Sequence, residues 1–136
     1  MLQTILITLL TVSNIHMISI RETLKKLESN CNTKAIDNSK SSFGVLQIKN
    51  IVIDDVNRIY GTNYKHKDSF NEKKSNEIFC YYIEKGVSKF KKTHNKNPLE
   101  QDIVRMWNGG AYSGYSKKST LKYYEKYLEI KSGLKK

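Results

Sequence analysis

The chain has little of what usually staples a small domain or grips nucleic acid. Among 136 residues there are two cysteines, one proline, one tryptophan and only three arginines, Arg21, Arg58 and Arg105. Cys31 and Cys80 lie far apart, and His16, His66 and His94 are isolated from one another, so no metal-ligand spacing exists and no zinc site is expected. One disulfide could form after export, or both thiols could stay reduced in a cytosol, and spacing does not choose between these. No internal repeat, heptad run or strand alternation longer than a few residues is present, which argues against solenoid, coiled-coil and all-β architectures.

Positive charge is abundant. Net charge is +11, which implies attraction to polyanions at low salt: nucleic acid, anionic lipid or the anionic bacterial wall. The other 21 basic residues are lysines scattered among asparagines rather than clustered arginines. Compositional bias explains that pattern as well as function does, and no specific nucleic-acid reader is expected.

Met1 to Ile20 holds no charged residue except for the titratable His16, and Leu2 to Val12 is apolar enough to resemble the core of a secretory signal. It is too short for a membrane span, no Lys or Arg precedes it, and no A-x-A-like site follows. Residues 1–16 are thus either a leader or a first helix packed on the domain; the expectation leans to export. The remaining chain fits one domain, about 17–130, followed by a basic tail, 131–136.

Helical spacing dominates that domain. Ile18, Ile20, Leu24 and Leu27 mark an apolar face opposite Arg21, Glu22, Lys25 and Lys26, on a helix ending near Glu28 or Ser29. Ser29 to Phe43 is polar and reads as a loop, and Gly44 opens a short apolar segment, Val45 to Ile48. Ile51, Val52, Val56 and Ile59 predict a second helix stopped by Gly61. Asn71 to about Lys92 is a longer helix, weakened by Gly86. Pro98 precedes a fourth whose expected buried face is Leu99, Ile103, Val104 and Trp107. Thr120 begins or caps a last one carrying Leu121, Tyr124, Tyr127 and Leu128. The expected class is all-α or nearly so, with a small irregular hairpin after the first helix.

A glutamate at a helix end is ordinarily a solvated side chain, but Glu28 has company. Glu28-Ser29 is followed by Asn32, Ala35 and Ile36, by Gly44-Val45-Leu46-Gln47-Ile48, by Met106-Trp107-Asn108-Gly109-Gly110, and by Thr120 with Tyr123. This ordered set, over about Ile18 to Leu128, resembles the soluble lytic transglycosylase family of the lysozyme-like superfamily, and within it short phage or Bacteroidetes-type members. Trp107 stands where the family commonly has Tyr, Thr33 replaces a frequent Pro, and the loop between Glu28 and Gly44 is one residue longer.

The resemblance implies a lysozyme-like fold and cleavage of the MurNAc-GlcNAc bond by a single carboxylate, with no metal or organic cofactor. Glu28 would protonate the leaving GlcNAc oxygen, then take a proton from the muramyl C6 hydroxyl, leaving a 1,6-anhydro end. Ser29 would hold the catalytic helix end and lie among the substrate-binding residues, and Gln47 would bond near the scissile sugar. Trp107 and Asn108 would line the cleft, and Tyr123 would tune Glu28.

From chemistry alone, an apolar, aromatic-walled glutamate would have a raised pKa suited to an acid. Most glycosidases add a second carboxylate, for which Asp37, Asp54 and Asp55 are the near candidates. Tyr112 and Tyr115 in the glycine-rich loop are the better candidates for sugar stacking, and Tyr81 and Tyr82 for the core.

Two alternatives remain: a hydrolytic lysozyme on the same cleft, with Asp37 as second carboxylate, and a non-catalytic basic module holding wall polymer or nucleic acid. The expected partner is the peptidoglycan glycan strand, met by a monomer in the cell envelope, secreted, periplasmic or virion-associated. A phage virion or secretion machine is a possible carrier.

Overall fold

The computed structural model describes the backbone of residues 2–133 and the side chains of residues 16–133. Among the described residues five helices dominate, with one two-stranded sheet, so the fold is nearly all-α. Helix α1, Leu2–Ser29, is followed by strands β1, Ser42–Phe43, and β2, Ile48–Lys49, then by α2, Asn50–Tyr60, α3, Glu72–His94, α4, Glu100–Gly109, and α5, Leu121–Lys131. Single 3-10 turns occupy His66–Phe70, Gly114–Ser116 and Lys118–Thr120.

The apolar lead continues into α1 by backbone; its side chains to residue 15 lie outside the described residues, as do Met1 and residues 134–136 of the expected tail. No described helix is long and apolar enough to cross a membrane. Among the described residues Cys31 and Cys80 are free and exposed.

The core is built where helical faces converge. Ile20 and Leu24 of α1, Ile53 and Val56 of α2, Ile78, Phe79 and Ile83 of α3, Val104 and Met106 of α4 and Tyr127 of α5 are all essentially inaccessible. They form one cluster together with Val45, Leu46 and Ile48 of the hairpin. Burial of that apolar surface, at about 25 cal/mol per Å², is the main stabilising term.

The expected hairpin forms by antiparallel pairing of Ser42 with Lys49 and Phe43 with Ile48, with a further bridge between Ile36 and Phe43. Gly44 is indispensable at its turn: φ is +80°, and a Cβ would lie 1.8 Å from the Ser69 carbonyl oxygen. Phe43 stacks on His66 at 3.9 Å and on Phe70 at 4.9 Å, and the His66 Nε2 is 2.7 Å from the Ile48 carbonyl oxygen. These contacts clamp the hairpin to the turn before α3.

Several expected details differ. Leu99 is 68% exposed, because it precedes α4 as its N-cap instead of joining its apolar face; its amide donates to Asp102 Oδ2 at 2.8 Å. Ile18, Ile51, Leu121 and Leu128 are also exposed. Lys25, expected on the solvent side of α1, is buried and paired with Glu22 at 2.7 Å and Glu72 at 3.2 Å, which ties α1 to the start of α3. Gly86 does not interrupt α3; it admits the glycine-rich loop, since a Cβ there would meet the Ala111 carbonyl oxygen at 2.7 Å. Thr120 occupies the N-cap position of α5 without making a side-chain cap bond.

Candidate functional site

A cleft of about 660 Å³ opens between the hairpin, α2, α3 and the end of α4 with its following loop, and Glu28 is in its wall. The carboxyl is delivered by the last turn of α1. Ser29 fixes that end: its hydroxyl donates to the Val45 carbonyl at 2.7 Å and accepts the Asn32 amide at 3.1 Å. Ser29 is committed to this tie and is not among the residues lining the cleft.

Trp107 reaches across from α4, its indole N–H donating to Glu28 Oε2 at 3.1 Å. Its ring is held by Phe79, with centroids 5.1 Å apart, and edge-on by Tyr82 at 5.8 Å. It therefore belongs to the core and the cleft wall at once. The Tyr123 hydroxyl, from α5, is buried and has no partner in good hydrogen-bond geometry, yet it is close enough to the carboxyl to act on it.

Burial dominates the electrostatics of Glu28, pushing its pKa from 4.5 up to about 7, against the Trp107 indole N–H, the Tyr123 hydroxyl and the positive charge of Lys49, which pull it down. Burial, and then the Glu28 charge, raise the Tyr123 phenol far above its usual range, so it stays protonated. The result is a carboxyl that exchanges its proton near neutrality in a water-accessible cleft.

Gln47 also lines the cleft. Its backbone is left-handed, with φ of 51°, an unfavourable conformation for a residue with a Cβ. The side chain holds it there: the amide nitrogen donates to Ala35 O at 3.2 Å and Gly44 O at 3.0 Å. The nitrogen is thus spent on the loop, and the amide oxygen is the half a ligand could use. Asn108 is exposed in the cleft wall beside Trp107.

The carboxylates considered as second catalytic groups have other work. Asp37 lines the cleft, but Oδ2 accepts Ser39 Oγ at 2.6 Å and Oδ1 accepts the Ser42 and Ser41 amides at 2.8 and 2.7 Å. Those bonds hold its pKa far below the usual carboxylate range, making it a poor base. Asp55, also in the wall, pairs with Arg58 at 3.1 Å. Asp54 accepts from Asn50 at 3.4 Å and is not in the wall.

The aromatic wall differs from expectation. Tyr112 lines the cleft, but Tyr115 packs on Phe90 at 4.9 Å and bonds His94 at 3.0 Å, away from it. Tyr81 and Tyr82, expected in the core, contribute to the wall, together with Tyr60, whose ring is 4.6 Å from that of Tyr81. Adjacent tyrosines on one helix point about 100° apart, so both fit one wall only because α2 and the glycine-rich loop meet α3 from different sides.

Arg105 and Thr120 escaped sequence reasoning as a pair. The buried Arg105 Nε donates to Thr120 Oγ1 at 2.7 Å and Nη2 donates to the Lys117 carbonyl at 3.0 Å. Thr120 Oγ1 in turn lies 2.9 Å from the Gly114 carbonyl oxygen as donor. This network shapes the loop between α4 and α5, and so sets where Tyr123 enters. A lone arginine with an apolar flank, Val104-Arg105-Met106, was the available signal.

Comparison with models of known protein families and with curated proteins returns no match for this chain.

Proposed function

We propose that the chain cleaves the glycan strands of peptidoglycan as a lytic transglycosylase, with Glu28 as its only catalytic carboxyl. The observation that carries this reading is the state of Glu28: a buried carboxyl at the wall of an aromatic cleft, its pKa raised to about 7, with one oxygen held by the Trp107 indole. Such a group is protonated often enough to give a proton to a glycosidic oxygen, and basic enough afterwards to take one. The motifs shared with the soluble lytic transglycosylases supply the substrate class.

In the proposed reaction Glu28 protonates the leaving GlcNAc oxygen as the bond to the muramyl anomeric carbon breaks. The Glu28 carboxylate then accepts the muramyl C6 hydroxyl proton while that oxygen closes on the anomeric carbon. The proton count returns to its start, no water is consumed, and a 1,6-anhydro end is left. Tyr60, Tyr82 and Tyr112, more open to the cleft than the buried Trp107, offer contacts for sugar rings, and Asn108 and the Gln47 oxygen offer hydrogen bonds to N-acetyl groups.

The engaged state of Asp37 supports this route over hydrolysis with a second carboxylate, because a strongly hydrogen-bonded aspartate activates water poorly. Mass spectrometry of fragments released from purified sacculi tests the reading. Anhydromuramyl ends are expected; reducing muramyl ends would make the protein a lysozyme.

A further inference from the structure

A second, shallower groove runs along the outer face of α3, lined by Lys85, Ser88, Lys89, Lys92 and Thr93. Lys85 belongs both to this groove and to the cleft, so the two concavities meet at its side chain. Lys85, Lys89 and Lys92 are spaced i, i+4 and i+7, which puts three ammonium groups on one helical face. Among the described residues none of them has an acidic partner within ion-pair distance, and the groove contains no carboxylate.

Like charges at that spacing weaken a helix. Attraction to the carboxyl-terminal end of α3 accounts for Lys92, but that effect fades within a turn and does not reach Lys85 or Lys89. Lys89 is also held in place, its Nζ 4.6 Å from the centre of the Tyr112 ring, and Tyr112 is part of the cleft wall. The stripe is therefore built against the cleft.

We propose that this groove receives the peptide branch of the glycan strand and binds its free carboxylates, so that strands whose peptides end in free carboxylates are preferred over strands whose peptide carboxylates are amidated. The inference rests on the glycan-cleaving reading of the cleft. Seven residues of helix rise span roughly 10 Å, the reach of about three extended peptide residues. A short acidic branch leaving a strand in the cleft beside Lys85 would lie along Lys89 and Lys92. The short run and its junction with the cleft favour such a branch over a long polyanion.

The test uses soluble glycan strands with their peptides and the same strands with the peptide carboxylates converted to amides, so that the muramyl lactyl group stays amide-linked in both. Binding of both is measured to Glu28→Gln protein, and to the same protein carrying Lys89→Gln and Lys92→Gln, with cleavage by protein retaining Glu28 followed in parallel. Strands with free peptide carboxylates are expected to bind about fivefold more tightly than amidated ones, as two exposed charge pairs allow. The lysine substitutions should erase that preference and make the salt dependence of free-carboxylate binding shallower. Equal binding of both strands, or a preference that survives the substitutions, overturns the inference. So does a lysine variant that loses duplex DNA but keeps strands with free peptide carboxylates. Absence of cleavage with the binding preference intact overturns the catalytic reading alone.

Discussion

At the scale of single residues, the chemistry depends on how Glu28 is held between two opposing influences. Desolvation favours its neutral form, and the Trp107 indole N–H favours its ionised form. Trp107→Phe keeps an aromatic wall and removes the donor, so the pKa should move upward. The alkaline limb of the pH–rate profile, set near 7 in the parent, is expected to shift to higher pH while the maximum rate falls. An unchanged limb would mean that Trp107 does not act on the carboxyl. Glu28, Trp107 and Tyr123 could be picked out in sequence because each belongs to a short motif. Their meeting in space could not, since Trp107 and Glu28 are 79 positions apart. Tyr81 and Tyr82 show the limit from the other side: helical periodicity assigns them to the core, and only the packing of α2 and the glycine-rich loop on α3 turns them into cleft wall.

At the scale of elements, the site depends on ties between the end of one helix and the loop of another. Helices and their order were readable from 3.6-residue periodicity, and the stops at Ser29 and Gly61 from polar and glycine punctuation. The ties were not, because a buried cation or hydroxyl looks solvent-facing in a sequence. Lys25 reads as surface and is buried between Glu22 and Glu72; Thr120 reads as a helix cap and instead serves Arg105. Thr120→Val preserves shape and leaves the Arg105 Nε–H without its acceptor. A loss of about 2 kcal/mol in urea unfolding is expected, since an unpaired buried charged donor keeps its full desolvation penalty. A loss below a few tenths of a kcal/mol would show that the loop reorganises freely. Gly86 teaches the same lesson: propensity marks it as a weak point of α3, whereas its missing side chain is what admits Ala111.

At the scale of the whole molecule, the site and the stability of the fold are linked through protons. The Glu28 pKa is about 7 in the folded chain against an ordinary value of 4.5. Below 4.5 the group is neutral in both states and contributes nothing. Between 4.5 and 7 the folded state holds more protons than the unfolded, so stability falls as pH rises, and above 7 the penalty is complete at about 3 kcal/mol. Glu28→Gln should therefore be more stable than the parent by about that amount at pH 8 and no more stable at pH 4, measured by urea unfolding at each pH. Equal pH dependence of the two proteins would show that the carboxyl is not desolvated. The molecular charge of +11 favours association with polyanions in general, an attraction that salt should weaken.

The most direct test of the central claim is release of soluble fragments from purified peptidoglycan sacculi by the parent protein and by Glu28→Gln, at pH 6, with folding of both verified by circular dichroism. The account predicts rapid release by the parent and none above background by the folded variant. Comparable release by Glu28→Gln, or no release by the parent, would contradict it.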